Sequence, residues 1–296
     1  MIFLVLAILL LMLAVRTPLF VVIGAAAMLA FGFFVDGYQE LISHRTTTAV
    51  QLAELTSKSV LLAIPFFVIS GAIMTAGGIA QRLVNVADVL VGHMRGGLAI
   101  ASVLSCMVFA AISGSSVVTL IAVGSIMFPA MLKAGYRENF SVGLITTAGS
   151  LGCLLPPSIP MLVYAISVTG GASVEVGDLF LSGLGPALLI AGMLAVYSYF
   201  RGQGGTAQHR PRSSFKDVRH AVREGVWALL LPVIVLGGIA GGVFKNVTEA
   251  AAVSIVYAAV VELFIHRELK WSDLPPAMLK SVTMMGALLL IIAISF

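Results

Sequence analysis

The stretch Ala111–Leu120 reads AISGSSVVTL and sets three serines and a glycine between two strongly apolar runs. A helix surrounded by hydrocarbon has no need of such a turn, and the reason for it decides how the chain folds. Further along, Leu151–Leu162 reads LGCLLPPSIPML and interrupts a second apolar run with a glycine, three prolines and a serine. Two polar interruptions of this kind in one greasy chain point to a binding site where helices are broken.

The solvent follows from composition. Of 296 residues, 59% are hydrophobic and 10% charged, with a mean hydropathy of +1.08. A soluble domain carries roughly 25% charged residues. The expected fold is therefore an all-α polytopic membrane protein. Each crossing takes about 20 mostly apolar residues, so the length suffices for roughly eight to ten of them. Apolar segments fall at 2–15, 18–35, 59–77, 97–112, 116–132, 140–168, 179–200, 226–243, 248–265 and 281–296. The opening MIFLVLAILLLMLAVRTP lacks a basic leader and a cleavage site, and reads as a retained first helix starting outside.

Several chemistries are disfavoured. Cys106 and Cys153 lie in apolar segments without a C-x-x-C pattern or a histidine at ligand spacing, so both read as buried small hydrophobes. His44, His93, His209, His220 and His266 are scattered among polar connections, and no nucleophile has a base beside it. The chain is not expected to be an enzyme. No run of aromatic and basic residues suggests nucleic acid.

The segments 39–57 and 78–94 mix polar residues at helical spacing, as amphipathic helices at a membrane interface do. Ordinary loop helices are the alternative. In the second segment Ile79, Leu83, Val86, Leu90 and Val91 share one face, which favours an interfacial arm. Orientation comes from lysine and arginine. The arginine-dense 201–223 should be cytoplasmic, which places Arg16, Arg82, Arg95, KAGYREN and HRELKWSDLPPAMLK inside. GGASVEVGD and Lys245–Asn246 then lie outside, and only Arg45 and Lys58 disagree.

That map requires 97–132 to begin and end on one side, as two crossings or one re-entrant hairpin. Length favours the hairpin. Sixteen residues rise only about 24 Å, and the Ser-Gly-Ser-Ser turn has no charged or aromatic anchor. Backbone exposed at membrane depth must face protein or a wet cavity. Its partner is expected in the second break. There Gly149 and Gly152 weaken the helix, while Pro156, Pro157 and Pro160 forbid a continuous one and free neighbouring carbonyls, Leu155 included. Free carbonyls and serine hydroxyls are hard ligands that suit Na⁺. Helix N-termini at the same breaks suit an anionic group. A proline kink and a small-residue packing patch are the plainer alternatives for either motif alone.

Proton coupling calls for ionisable side chains within the membrane helices. Asp88, Glu175 and Asp178 fall in interfacial or loop segments, Glu249 at a helix start, and Glu262 close to a helix end near the interface. Sodium is thus the expected coupling ion. The last apolar run stops at Phe296 without a polar flank, and no second P-P-S or G-S-S element follows residue 170. Only one site of an inverted-repeat pair is therefore expected to be visible.

The residues AIPFFVISGAIMTAGGIAQRLV, AISGSSVVTLIAVGSIMFPAMLKAGY and TTAGSLGCLLPPSIPMLVYAI together resemble the large membrane subunit of tripartite ATP-independent periplasmic (TRAP) transporters, the DctM-like family. The likeness is densest from Leu61 to Tyr164, and NVTEAAAVSIVYAAVVELF extends it. It implies an elevator-type sodium-driven transporter of the bacterial inner membrane. Such a subunit works with a small four-helix membrane subunit and a periplasmic solute-binding protein that delivers an organic acid, such as a C4-dicarboxylate or a sialic acid. A stand-alone sodium-coupled anion symporter is the alternative. The resemblance also implies a Na⁺ site from Ser113, Ser115 and Ser116 with Gly152, Leu155 and Pro157. Gly114, Ser116 and Ser158 are the candidate substrate contacts. The expected division is scaffold helices and interfacial helix in 1–58, scaffold helix and arm in 59–94, and hairpin with broken helix in 95–170. A crossing helix with the basic loop follows in 171–225, then the start of a second repeat in 226–296.

Overall fold

A computed structural model describes residues 59–168, 174–202, 214–279, 281–283 and 286, together with isolated positions before residue 59. The segment 39–57, Arg45 and Lys58 lie outside the described residues. All regular structure among the described residues is helical. Helix α1 (Ser59–Ala76) meets α2 (Ile79–Val91) at a 71° bend. Gly78, with φ of 74°, makes this turn.

Helix α3 (Gly97–Ser113) is the centre of the molecule. Thirteen of its 17 residues are buried, so it has no broad face to offer lipid. Gly114 and Ser115 join it to α4 (Ser116–Lys133), whose Val117 and Ile121 remain exposed. The second interruption separates α5 (Glu138–Gly149) from α6 (Ile159–Ser167) by a 3₁₀ turn at Ser150–Cys153 and an extended run. Two long apolar helices follow, α7 (Val176–Arg201) and α8 (Phe215–Ala240). Ser214 and Asp217 form a reciprocal capping box at the start of α8. Helix α9 (Val247–Val260) continues into a π turn at Val261–His266.

Among the described residues, four helices are long and apolar enough to cross a membrane: α4, α7, α8 and the run Val247–His266. The bent pair α1–α2 is a fifth by composition, and α3 is shorter. The chain is a multi-pass membrane protein. Helix association in lipid depends on close packing of small residues. Here Ala250, Ala251, Ser254 and Ala258 are all buried along α9. The Ser70 hydroxyl of α1 donates to the Ser254 carbonyl at 3.0 Å, which ties α1 to α9.

Two expectations need correction, and one acid is more enclosed than its position suggested. The stripe on α2 is buried against protein, not spread in an interface: Ile79, Ala80, Leu83, Val84, Val86 and Ala87 are covered, while Leu90 is exposed. Val86 lies under Gly225 of α8, where any side chain would collide with it. Glu262 is fully buried against protein, with its carboxylate 3.2 Å from His266 Nδ1. It occupies the space beside Gly77 in the α1–α2 bend, and Arg82 pairs with Glu268 next to it. This acid, expected near a helix end, is thus enclosed by protein. Cys106 is buried as expected, but Cys153 is exposed.

Candidate functional site

The two breaks meet. Gly114 closes α3 with φ of 61° and ψ of 11°, a left-handed geometry that glycine adopts without penalty. Its amide donates back to the Ala110 carbonyl at 2.9 Å. Its own carbonyl accepts the Ile159 amide at 3.2 Å, the first amide of α6. Sequence places these groups 45 positions apart. A side chain at 114 would strike the Pro157 carbonyl, so tip and break are in backbone contact.

A second contact lies one step along. At Gly152 an added Cβ would stand 2.7 Å from the Ser115 carbonyl carbon and from the Ser116 amide nitrogen. On the other side of the tip, a Cβ on Gly71 of α1 would stand 3.0 Å from Ser113 Cα. Gly152 was expected to weaken a helix. Neither it nor Gly149 has a positive φ, and what each provides is room. Gly149 gives that room to Leu120, 3.2 Å from its Cβ position.

The hydroxyls divide into two groups. Ser113 is buried and shares a 2.9 Å hydrogen bond with the buried Thr119 hydroxyl. The Ser115 carbonyl lies 2.8 Å from the Thr119 hydroxyl and 3.3 Å from the Ser113 hydroxyl, so both can donate to it. These bonds stiffen the tip from within. Ser158, also buried, donates to the Cys153 carbonyl at 2.6 Å and is used inside the break. Ser116 instead reaches across. Its hydroxyl lies 3.4 Å from the Ser150 carbonyl and 2.9 Å from Cys153 Sγ.

The prolines act at two levels. Pro160 sits in the first turn of α6, where its missing N–H costs nothing. Pro156 and Pro157 form the extended run, joined by a cis bond. The Leu155 amide still donates to the Leu151 carbonyl at 2.9 Å. Helix α7 closes the far side of the break: a Cβ on Gly183 would stand 2.6 Å from the Leu154 carbonyl.

Among the eight residues singled out, Ser113, Gly114, Gly152, Leu155, Pro157 and Ser158 are buried, and Ser115 and Ser116 half-buried. Sequence reasoning missed Thr119, Cys153 and Gly71. Thr119 was within reach, since it lies four residues after the helix-capping Ser115 and so one turn above it. The donors gathered here are neutral, hard oxygens. No group of three or more His, Cys, Asp or Glu residues able to hold a metal is present among the described residues.

Comparison with known proteins gives a consistent family. Residues 6–295 match the profile described as "Tripartite ATP-independent periplasmic transporter, DctM component". The chain is 46% identical over 245 residues to the C4-dicarboxylate TRAP transporter large permease protein DctM of Pseudomonas aeruginosa, covering 83% of this chain and 56% of that one. It is 40% identical over 259 residues to the isethionate TRAP transporter permease protein DctMQ of Oleidesulfovibrio alaskensis, 85% of this chain and 39% of that one. To the ectoine TRAP transporter large permease protein TeaC of Halomonas elongata it is 37% identical over 275 residues, 93% and 62% respectively. The chain thus spans about half the length of the curated relatives it matches.

Proposed function

Because the chain belongs to the DctM component family of tripartite ATP-independent periplasmic transporters, we propose that it serves in sodium-gradient-driven uptake of an organic acid across the bacterial inner membrane. In this reading a periplasmic solute-binding protein delivers the substrate, and a small four-helix membrane subunit completes the membrane part. The observation that carries the proposal is the backbone seam between tip and break, where the Gly114 carbonyl meets the Ile159 amide and Gly152 admits the Ser115–Ser116 peptide.

Sodium and substrate are both cargo here. The residues that would hold Na⁺ are Ser113, Ser115 and Ser116 of the tip with Gly152, Leu155 and Pro157 of the break. Ser113 and Thr119 already bond to each other, so the ligands in this reading are chiefly carbonyls, with the Ser115 and Ser116 hydroxyls beside them. Ion binding would fasten tip to break and hold the α4 and α6 first turns, with Gly114, Ser116 and Ser158 nearby, toward an anionic group. The fastened hairpin and broken helix would then move as one body in an elevator step. Coupling of this kind is reciprocal: Na⁺ and substrate each raise the other's affinity by the same factor.

The relatives' names cover C4-dicarboxylate, isethionate and ectoine permeases. The seam holds no arginine that would select among such ligands, which supports assigning selection to the soluble partner. The test is uptake into proteoliposomes carrying the complete membrane subunits, with and without a Na⁺ gradient and with and without the binding protein. Uptake that needs both supports the proposal. Uptake without the binding protein identifies a stand-alone symporter. Uptake driven by a proton gradient, and lost in Glu262→Gln, transfers the coupling role to the buried acid.

A further inference from the structure

We propose that the C-terminal end of α7 and the α4–α5 turn form a binding site for an anionic phospholipid. Two cavities carry the inference. One is an open apolar groove of about 700 Å³ along α7, floored by Leu188, Leu189, Gly192, Met193 and Val196. The other is a more enclosed, polar cavity of about 840 Å³ between that helix end and the turn, lined by Arg137, Glu138, Asn139 and Phe140. Tyr197, Phe200 and Arg201 line both. The two cavities therefore adjoin at the end of α7, one greasy along the span and the other cationic at its end.

That division matches one phospholipid. An acyl chain fits the groove, whose exposed residues Leu189, Met193 and Val196 stand 62%, 65% and 57% accessible. A headgroup fits the cavity, where Arg137 and Arg201 are exposed and neither has an ion-pair partner among the described residues. Glu138 is the one acid in the lining, so the balance is positive. The rings of Phe140 and Tyr197 pack at 5.9 Å, and Tyr136 stacks on Phe140 at 6.0 Å. Aromatic side chains of this kind settle at the level of the headgroups. The same end is reinforced by the turn before α3: a Cβ on Gly202 would stand 3.0 Å from Gly96 Cα, which brings Arg95 to this side. Basic pockets between helix ends are where acidic headgroups bind. A bound lipid here would pin the α4–α5 turn, and so the end of the hairpin's second arm, to α7.

The experiment is native mass spectrometry of the detergent-purified chain, titrated with palmitoyl-oleoyl phosphatidylglycerol or the matching phosphatidylcholine. Phosphatidylglycerol binds more tightly. Each of Arg137→Gln and Arg201→Gln lowers that affinity about fivefold and the double variant about twenty-five-fold, with phosphatidylcholine unchanged. Arg219→Gln, in an exposed position at the start of α8, leaves both lipids unaffected. Gly192→Leu adds a side chain where nothing stands within 4 Å, so it folds while filling the groove, and it weakens both lipids. Equal affinity for the two lipids, or a double variant that binds like wild type, overturns the proposal. Full displacement by excess inorganic phosphate with no effect of Gly192→Leu also overturns it, by making the cavity a free-anion site.

Discussion

Thr119 shows what single residues contribute at the seam. Its hydroxyl is the shared partner of the Ser113 hydroxyl and the Ser115 carbonyl, and it is completely buried. Thr119→Val keeps the shape but removes the hydroxyl that links the two groups, while the Ser115 carbonyl keeps the Thr119 amide, so the loss is about 1 kcal/mol. The expected outcome is a lower melting temperature in detergent and reduced uptake, with Thr119→Ser close to wild type. Equal melting of the valine and wild-type proteins would show that the bond is dispensable. The polar residues of the tip are conspicuous in sequence because hydrocarbon surrounds them, which is why Ser113 to Ser116 and Pro156 to Ser158 were legible. Their bonding was not. Ser113 and Ser158 spend their hydroxyls locally, and nothing in residue type alone distinguishes them from Ser116, whose hydroxyl reaches across to the other break.

At the scale of elements, lipid leaves the backbone few options besides helix, so the apolar runs translate directly into α1, α3, α4, α7, α8 and α9. Breaks are equally legible where glycine and proline cluster, as at Gly77–Gly78 and Pro156–Pro157. Packing between distant elements is different in kind. Arg82 and Glu268 are 186 positions apart, and no periodicity announces that Glu262 fills the space left by Gly77. That burial is why an acid near the end of its helix is enclosed by protein. Gly77→Ala forces a methyl into the Glu262 carboxylate, and overpacking of this sort costs about 1–3 kcal/mol. Thermal unfolding in detergent checks it, with Gly143→Ala, where nothing stands within 4 Å, expected to match wild type. A wild-type melting temperature for Gly77→Ala would mean that the bend yields freely.

Across the whole molecule, the placement of arginine and lysine anticipated which ends lie together. Arg95, Arg137 and Arg201 were assigned to one side from charge alone, and the structure gathers Arg137 and Arg201 around one cavity with the Gly96 turn packed on the end of α7. Arg82 and Glu268, assigned to that side too, are paired. Helix α8 has 26 residues, which extend about 39 Å, enough to cross the bilayer. In a cysteine-free background, Lys245→Cys should react with a membrane-impermeant maleimide on intact cells. Ser214→Cys should react only after permeabilisation. Labelling of both from outside would invert or void the charge map.

The central claim is that tip and break act as one ion-dependent unit. Its most direct test is the Na⁺ dependence of uptake by Gly152→Ala in the complete transporter, with Gly143→Ala as the control on the neighbouring helix. The added methyl would intrude on the Ser115–Ser116 peptide, 2.7 Å away. Uptake is predicted to fall about tenfold or more, as expected for a loss of roughly 1.4 kcal/mol, and the half-saturating Na⁺ concentration to rise. The control should be unaffected. Uptake and Na⁺ dependence equal to wild type in Gly152→Ala would contradict the account and leave the seam as helix packing.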